Sequence, residues 1–205
     1  MNQFQTAQET FWAGAFGDEY TQRNQGNTLI ASNLALFSKI LSHTYSVQTM
    51  IEFGANIGLN LRAIKQLFPA IDIEALEINT QAASELASLG ISKVYNQSIL
   101  EFNPTSQYDF VLTKGFLIHL EPVMLKKVYD TLYQSSKKYI CLIEYYNPSP
   151  VEVPYRGFSE RLFKRDFAGE MLDCYKDLKL KEYGFVYRRD QNFAQDDITW
   201  FLLEK

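Results

Sequence analysis

The residue types best suited to chemistry gather around one tight turn. An apolar run from Val47 to Phe53 carries a single acid, Glu52, and stops at Gly54-Ala55-Asn56-Ile57-Gly58. Gly54 permits close approach of a ligand to the backbone, and Gly58 permits the following helix to pack tightly. A dinucleotide fingerprint would need glycines at 54, 56 and 59, where the chain has Gly54, Asn56 and Leu59. A Gly-Lys-Ser/Thr phosphate loop is missing as well, so neither a pyrophosphate nor a nucleoside triphosphate suits this turn. A mononucleoside does. Glu77 ends the next strand-like run, close to the roughly 20 residues after the turn at which an acid accepts hydrogen bonds from both ribose hydroxyls.

Further candidates lie downstream. His119, one of two histidines, follows the fourth strand-like run, where an imidazole can serve as a general base near neutral pH or simply as a packing residue. Glu144, Tyr145, Tyr146 and Asn147 end the fifth run; Glu144 and Tyr145 are catalytic candidates and Tyr146 and Asn147 substrate contacts, unless alternate positions face the core. Tyr155-Arg156 and Lys164-Arg165 are candidate lid residues with donors for hydroxyls, a carboxylate or phosphate, the alternative being a solvated loop followed by an amphipathic helix. The second histidine, His43, reads as an exposed bystander. The histidines and the two cysteines, Cys141 and Cys174, show no ligand spacing, so neither a metal site nor a disulfide is expected.

Positioning these groups requires a particular order of elements. Asn27 to Ser42 has helical apolar spacing with Asn27 as the expected N-cap; Val47–Phe53 is a strand; Leu59 to Phe68 is a helix. Ile71–Ile78 is a second strand, Asn79 caps a helix ending near Gly90, and Lys93–Tyr95 is a third strand. Tyr108–Thr113 and Tyr139–Tyr145 are further strands around a helix opened by Glu121-Pro122 and running to about Ser136. A helix near Glu160–Tyr175 and two final strands, Lys179–Arg188 and Ile198–Leu203, complete the chain. Strands alternating with helices demand a mainly parallel sheet, and the last pair an antiparallel hairpin. The expected fold is α/β: a doubly wound, Rossmann-like sheet with helices on both faces. It forms a single domain, with residues 1–45 a helical cap, 46–146 the binding core and 147–205 a substrate-side loop, helix and hairpin.

Composition narrows the partners. The chain has 205 residues, 46% of them hydrophobic, and a net charge of −4, which gives no electrostatic footprint for nucleic acid or an anionic membrane surface. No apolar run approaches the roughly 20 residues of a membrane span, and Met1 to Thr10 lacks an export pattern, so a cytoplasmic protein is expected. Ten of the 13 tyrosines follow residue 102, which reads either as a wetter surface or as a polar aromatic pocket for a hydroxylated small molecule.

Glu52-x-Gly54-x-Asn56-x-Gly58, Glu77 and Tyr108-Asp109-Phe110-Val111 resemble the core of the class I S-adenosylmethionine-dependent methyltransferases. Phe11-Trp12, Phe16-Gly17-Asp18-Glu19-Tyr20 with Arg23-Asn24, Thr113-Lys114-Gly115 with Leu117-Ile118-His119, Glu144 to Pro148, Tyr155-Arg156-Gly157 and Phe163 to Glu170 narrow the likeness. Together they resemble the bacterial family labelled pseudaminic acid biosynthesis-associated methylases, over nearly the whole chain. Asn56 departs from the superfamily, in which a third glycine is common.

The resemblance implies S-adenosylmethionine as cofactor and S-adenosylhomocysteine as product. It implies that Gly54, Ala55 and Gly58 line the methionine part, with Glu52 and Asn56 beside them, and that Glu77 and Ile78 hold the ribose end. Ser98 and Ile99 would border the adenine, and Thr113 would lie near the sulfonium. Tyr20 and Arg23 would close over the cofactor's carboxylate. The implied acceptor is a small polar metabolite, a hydroxyl or amine of a sugar or sugar nucleotide. The alternatives are a nucleic-acid methyltransferase and a cofactor-binding scaffold without catalysis. Against the first, Thr113-Lys114-Gly115-Phe116 stands where enzymes acting on base amino groups carry an Asp/Asn-Pro-Pro-aromatic run.

Overall fold

The computed structural model describes residues 4–23 and 26–205. Asn24 and residues 1–3 of the N-terminal segment read above lie outside the described residues. Two short helices, α1 (Ala7–Ala13) and α2 (Ala15–Arg23), precede the long α3 (Asn27–Leu41). Alternation then follows as expected: β1 (Thr49–Phe53), α4 (Leu59–Leu67), β2 (Asp72–Leu76), α5 (Thr80–Ala87), β3 (Lys93–Tyr95), β4 (Tyr108–Lys114), α6 (Leu125–Ser135) and β5 (Ser136–Glu144). The last part holds a small hairpin, β6 (Val151–Glu152) with β7 (Phe163–Lys164), then α7 (Phe167–Cys174), β8 (Lys179–Val186) and β9 (Ile198–Glu204).

The seven-stranded sheet has the order β3-β2-β1-β4-β5-β9-β8. β1 pairs in parallel with both β2 and β4, and β9 inserts antiparallel between β5 and β8. This is a Rossmann-like α/β fold, whose strand order reverses between β1 and β4. Alternate strand residues face opposite sides. Ile51, Val111, Ile140 and Leu142 pack against Val128 and Leu132 of α6 and Phe167 and Met171 of α7. Met50, Phe110, Leu112 and Cys141 pack against Phe37 and Ile40 of α3, Ile64 of α4 and Leu86 of α5. Because both faces are covered, the central strands are largely apolar.

Two expected boundaries move. The third helix is capped by Gly26 at φ 145°, with Asn27 its first residue. The helix expected from Glu160 begins only at Phe167, where the Asp166 carboxylate accepts from the Gly169 amide. Glu160 adopts a positive φ of 56°, and Phe163–Lys164 pairs with Val151–Glu152, so long-range pairing takes the segment that local spacing assigns to helix.

At the end of the strands opposite the turn, Asp109 ties the starts of β1 and β4 together: its Oδ2 accepts from Gln48 N at 3.0 Å, Thr49 N at 3.1 Å and Thr49 Oγ1 at 3.2 Å. Burial alone would raise its pKa, but these donors outweigh it and hold the carboxyl below its ordinary value. Its stabilisation is therefore present above pH 3.8 and lost as pH falls through the lowered pKa. Asp109→Ala, which strands two backbone donors, is expected to cost about 1–3 kcal/mol at pH 7 by urea denaturation.

Candidate functional site

Residue patterning in β1 continues into a strained corner. Gly54 sits at φ +75°, where a Cβ would stand 2.3 Å from the Phe116 ring, so both conformation and space exclude a side chain. Asn56 occupies the position of the missing third glycine at φ 47°, a left-handed conformation that asparagine tolerates better than most residues. Its backbone amide donates to Glu77 Oε2 at 2.7 Å, and the Asn79 amide donates to Glu77 Oε1 at 2.8 Å. Glu77 is 6% exposed. Burial raises its pKa, opposed by hydrogen bonds from the Asn79 and Asn56 amides. Each carboxylate oxygen keeps a lone pair for a further donor.

A cavity of about 240 Å³ opens above the carboxyl ends of the strands, at the reversal of strand order, where ligands bind in such sheets. Of the residues singled out from sequence, Tyr20, Gly54, Ala55, Asn56, Glu77, Ile78, Ser98, Ile99 and His119 line it together. The other candidates stand behind or beside it. Gly58 packs toward Leu86 and Leu89, and Thr113 is fully buried in β4. Arg23 is exposed, with its guanidinium 5.5 Å from the Phe16 ring centroid.

Glu52 is fully buried beneath the turn, where Asn60 Nδ2 donates to its Oε1 at 2.6 Å while Oε2 has no partner among the described residues. Burial pushes its pKa up to about 8, against the Asn60 hydrogen bond. Glu144 is also buried, and its carboxylate accepts from the backbone amides of Phe116, Leu117 and Ile118. It thereby fixes the short 3-10 turn Leu117–His119 that carries His119. Burial pushes its pKa up to about 7.

His119 is neutral at physiological pH, because burial lowers its pKa to about 4. Its Nδ1 lies 2.7 Å from the Arg161 carbonyl oxygen, which can only accept, so Nδ1 carries the proton and Nε2 is the basic nitrogen. The ring stacks obliquely between Trp12 (4.5 Å between centroids) and Tyr155 (4.9 Å). Tyr155 thus packs on His119, whereas Arg156 is exposed. Arg165 is engaged by Glu170 at 2.8 Å, and Lys164 lies 5.1 Å over the Tyr145 ring. The Asn147 backbone N–H donates to the Arg165 carbonyl, its side-chain Nδ2 donates to the Ser149 carbonyl, and Tyr146 is exposed against Phe201.

Sequence patterning misses several walls of the cavity. Thr6, Gln8 and Glu9 of the N-terminal segment, Asn33 of α3, Lys114 at the end of β4 and Asp196 between β8 and β9 all line it. Only tertiary contact brings the first and last of these together. The roof is closed by Gln8 Nε2 donating to the Glu160 carbonyl at 3.1 Å and by Phe11 and Phe16 against Phe158. Among the described residues no His, Cys, Asp and Glu cluster could hold a metal ion, and no helix is long and apolar enough to cross a membrane.

No protein-family model and no curated protein sequence matches the chain. Solved structures do match it in fold. A SAM-dependent methyltransferase from Leishmania major superposes with a TM-score of 0.73 at 13% identity, over 98% of this chain and 87% of that one. Magnesium protoporphyrin IX methyltransferase from Synechocystis PCC 6803 with bound SAM gives 0.65 at 12% identity over the full length of both chains. A SAM-dependent methyltransferase from Clostridium acetobutylicum gives 0.63 at 11% identity, over 92% of this chain and 97% of that one. The fold is that of the class I SAM-dependent methyltransferases.

The buried acid under the turn gives a pH signature. Glu52 titrates near pH 4.5 when unfolded and near 8 when folded, so the stability tied to its neutral form is complete below pH 4.5 and is lost as pH rises toward 8. Glu52→Gln keeps the acceptor for Asn60 without the charge. Melting temperatures are expected to favour the variant at pH 8 and to converge with wild type at pH 5.

Proposed function

We propose that this protein is a SAM-dependent methyltransferase that acts on a small polar acceptor, a hydroxyl or amine of a sugar or sugar nucleotide. The observation that carries the reading is the Glu77 carboxylate, held by two backbone amides at the end of β2 and lining one cavity with the Gly54–Asn56 turn and His119. Such a carboxylate suits a ribose diol, and the fold neighbours include a methyltransferase whose structure holds SAM. In this reading Gly54, Ala55 and Asn56 border the methionine part, Ile78, Ser98 and Ile99 border the adenine, and Tyr20 closes the site. The bound cofactor would supply an electrophilic methyl group, which leaves the protein to align the acceptor, exclude water and take up a proton.

His119 fits the last task. Its tautomer is set by the Arg161 carbonyl, which leaves Nε2 as the acceptor. Burial keeps the ring unprotonated across the neutral range but makes it a weaker base than an exposed imidazole, so it takes the hydroxyl proton at Nε2 only as the attacking oxygen gives up its electrons to the methyl group. Glu144 serves this base by fixing the turn that carries it, and Trp12 and Tyr155 fix the plane of the ring. The sugar class rests on the family resemblance and on the polar, aromatic walls contributed by Tyr20, Trp12, Asn33 and Asp196. The acidic net charge disfavours a nucleic-acid acceptor.

Calorimetric titration with SAM and SAH tests the cofactor assignment, and absence of binding to either sinks it. Glu77→Ala is expected to weaken SAH binding roughly 10- to 100-fold, the value of one or two charge-assisted hydrogen bonds; unchanged affinity would remove Glu77 from the site. His119→Ala is expected to leave SAH affinity intact and to lower turnover, read as SAH release, by roughly 10²-fold. Near-wild-type turnover between pH 6 and 9 would make the histidine a packing residue.

A further inference from the structure

Among the described residues Lys114 is the one lysine or arginine that lines the cavity, which Glu9, Glu77, Glu121 and Asp196 also line. Lys114 ends β4 and lines the cavity, yet among the described residues its ammonium makes no hydrogen bond and no ion pair. Burial lowers its pKa, while Glu52, Asp196 and Glu144 act in the opposite direction from beyond ion-pair distance. None of those acids is within ion-pair distance of it. Glu144 is taken up by three backbone amides, Glu52 is bonded to Asn60 and uncharged below about pH 8, and Asp196 stands at the exposed rim. Lys114 is half-buried, so its ammonium is partly shielded from water without a partner, and an anion entering the cavity would pair with it.

Topology says which ligand brings the anion. Glu77 and Ser98 follow β2 and β3, on one side of β1, whereas Lys114 ends β4, on the other side, with His119 five residues on. A nucleoside seated at Glu77 leaves Lys114 at the methyl-transfer end, beside the base. A neutral acceptor would cover the half-buried ammonium and leave it unpaired, which favours an anionic acceptor over a neutral one. We propose that Lys114 binds an anionic oxygen group of the acceptor, a carboxylate or a phosphate ester, and so selects an anionic acceptor. The inference rests on the methyltransferase reading and adds the substrate class to it.

The full chain loaded with SAH, titrated calorimetrically with glucuronate, glucose 6-phosphate and glucose, tests this. Wild type is expected to bind at least one anionic sugar tenfold or more tightly than glucose; preference for glucuronate names a carboxylate, and preference for glucose 6-phosphate a phosphate ester. Lys114→Met should abolish the preference while SAH affinity stays within threefold, and Lys114→Arg should retain part of it. Wild type without preference, binding none of the three included, overturns the proposal, as does a preference that survives in Lys114→Met. A tenfold loss of SAH affinity in a folded Lys114→Met protein would assign the lysine to the cofactor's own carboxylate instead. If Lys114→Met and Lys114→Gln both fail to melt cooperatively, the lysine is structural and the proposal falls. Wild type that does not bind SAH fails at the earlier step, and the methyltransferase reading falls with it.

Discussion

The two hydrogen bonds that the Asn56 and Asn79 amides donate to the Glu77 carboxylate hold three pieces of chain in register. The first fixes the turn after β1. The second fixes the start of α5, whose N-cap is the Asn79 side chain accepting from Ala82. Asn79 Nδ2 in turn donates to Asp18 of α2 at 2.7 Å and reaches the Trp12 carbonyl at 3.4 Å, so the N-terminal helices are moored to the same point. Burial raises the pKa of this carboxyl, and the backbone donors around it act against that rise. The arrangement that makes the turn rigid is also the one that makes it polar toward a ligand.

A second constraint acts on the other side of the cavity. Glu144 organises Phe116 to Ile118 through their amides, and that turn presents His119 to the Arg161 carbonyl. Phe116 in turn occupies the space above Gly54, so the two sides of the site meet at one ring packed on one glycine. Interiors packed to this density transmit displacement rather than absorb it. A bulky residue at 54 would therefore disturb the turn that carries the histidine, and not only the path of a ligand.

The architecture was largely legible in the chain because it follows from local pattern: apolar runs of strand length, helical spacing between them, and Gly54, Asn79 and Pro122 as punctuation. Glu77 was legible for the same reason, since its distance from the turn is set by one strand-helix-strand unit. The helix start at Glu160 was misplaced because β6 and β7 pair across ten intervening residues, a contact that local spacing does not encode. Asp196 and Gln8 were missed because they reach the cavity from opposite ends of the sequence. Lys114 was visible as a residue type in a motif, but its lack of a partner is a property of three-dimensional packing alone.

The position of β9 sets an order on how the site is built during synthesis. β9 lies between β5 and β8, so the sheet stays open beyond β5 until residues near 204 have emerged from the ribosome. The half of the molecule around Glu77 can fold on the nascent chain well before then. Until the final hairpin docks, Asp196 is absent from the rim, and Ile143 faces water where Trp200 will pair with it. The side of the cavity around Glu77 is thus the early part of the protein, and the rim that Asp196 completes is the late part.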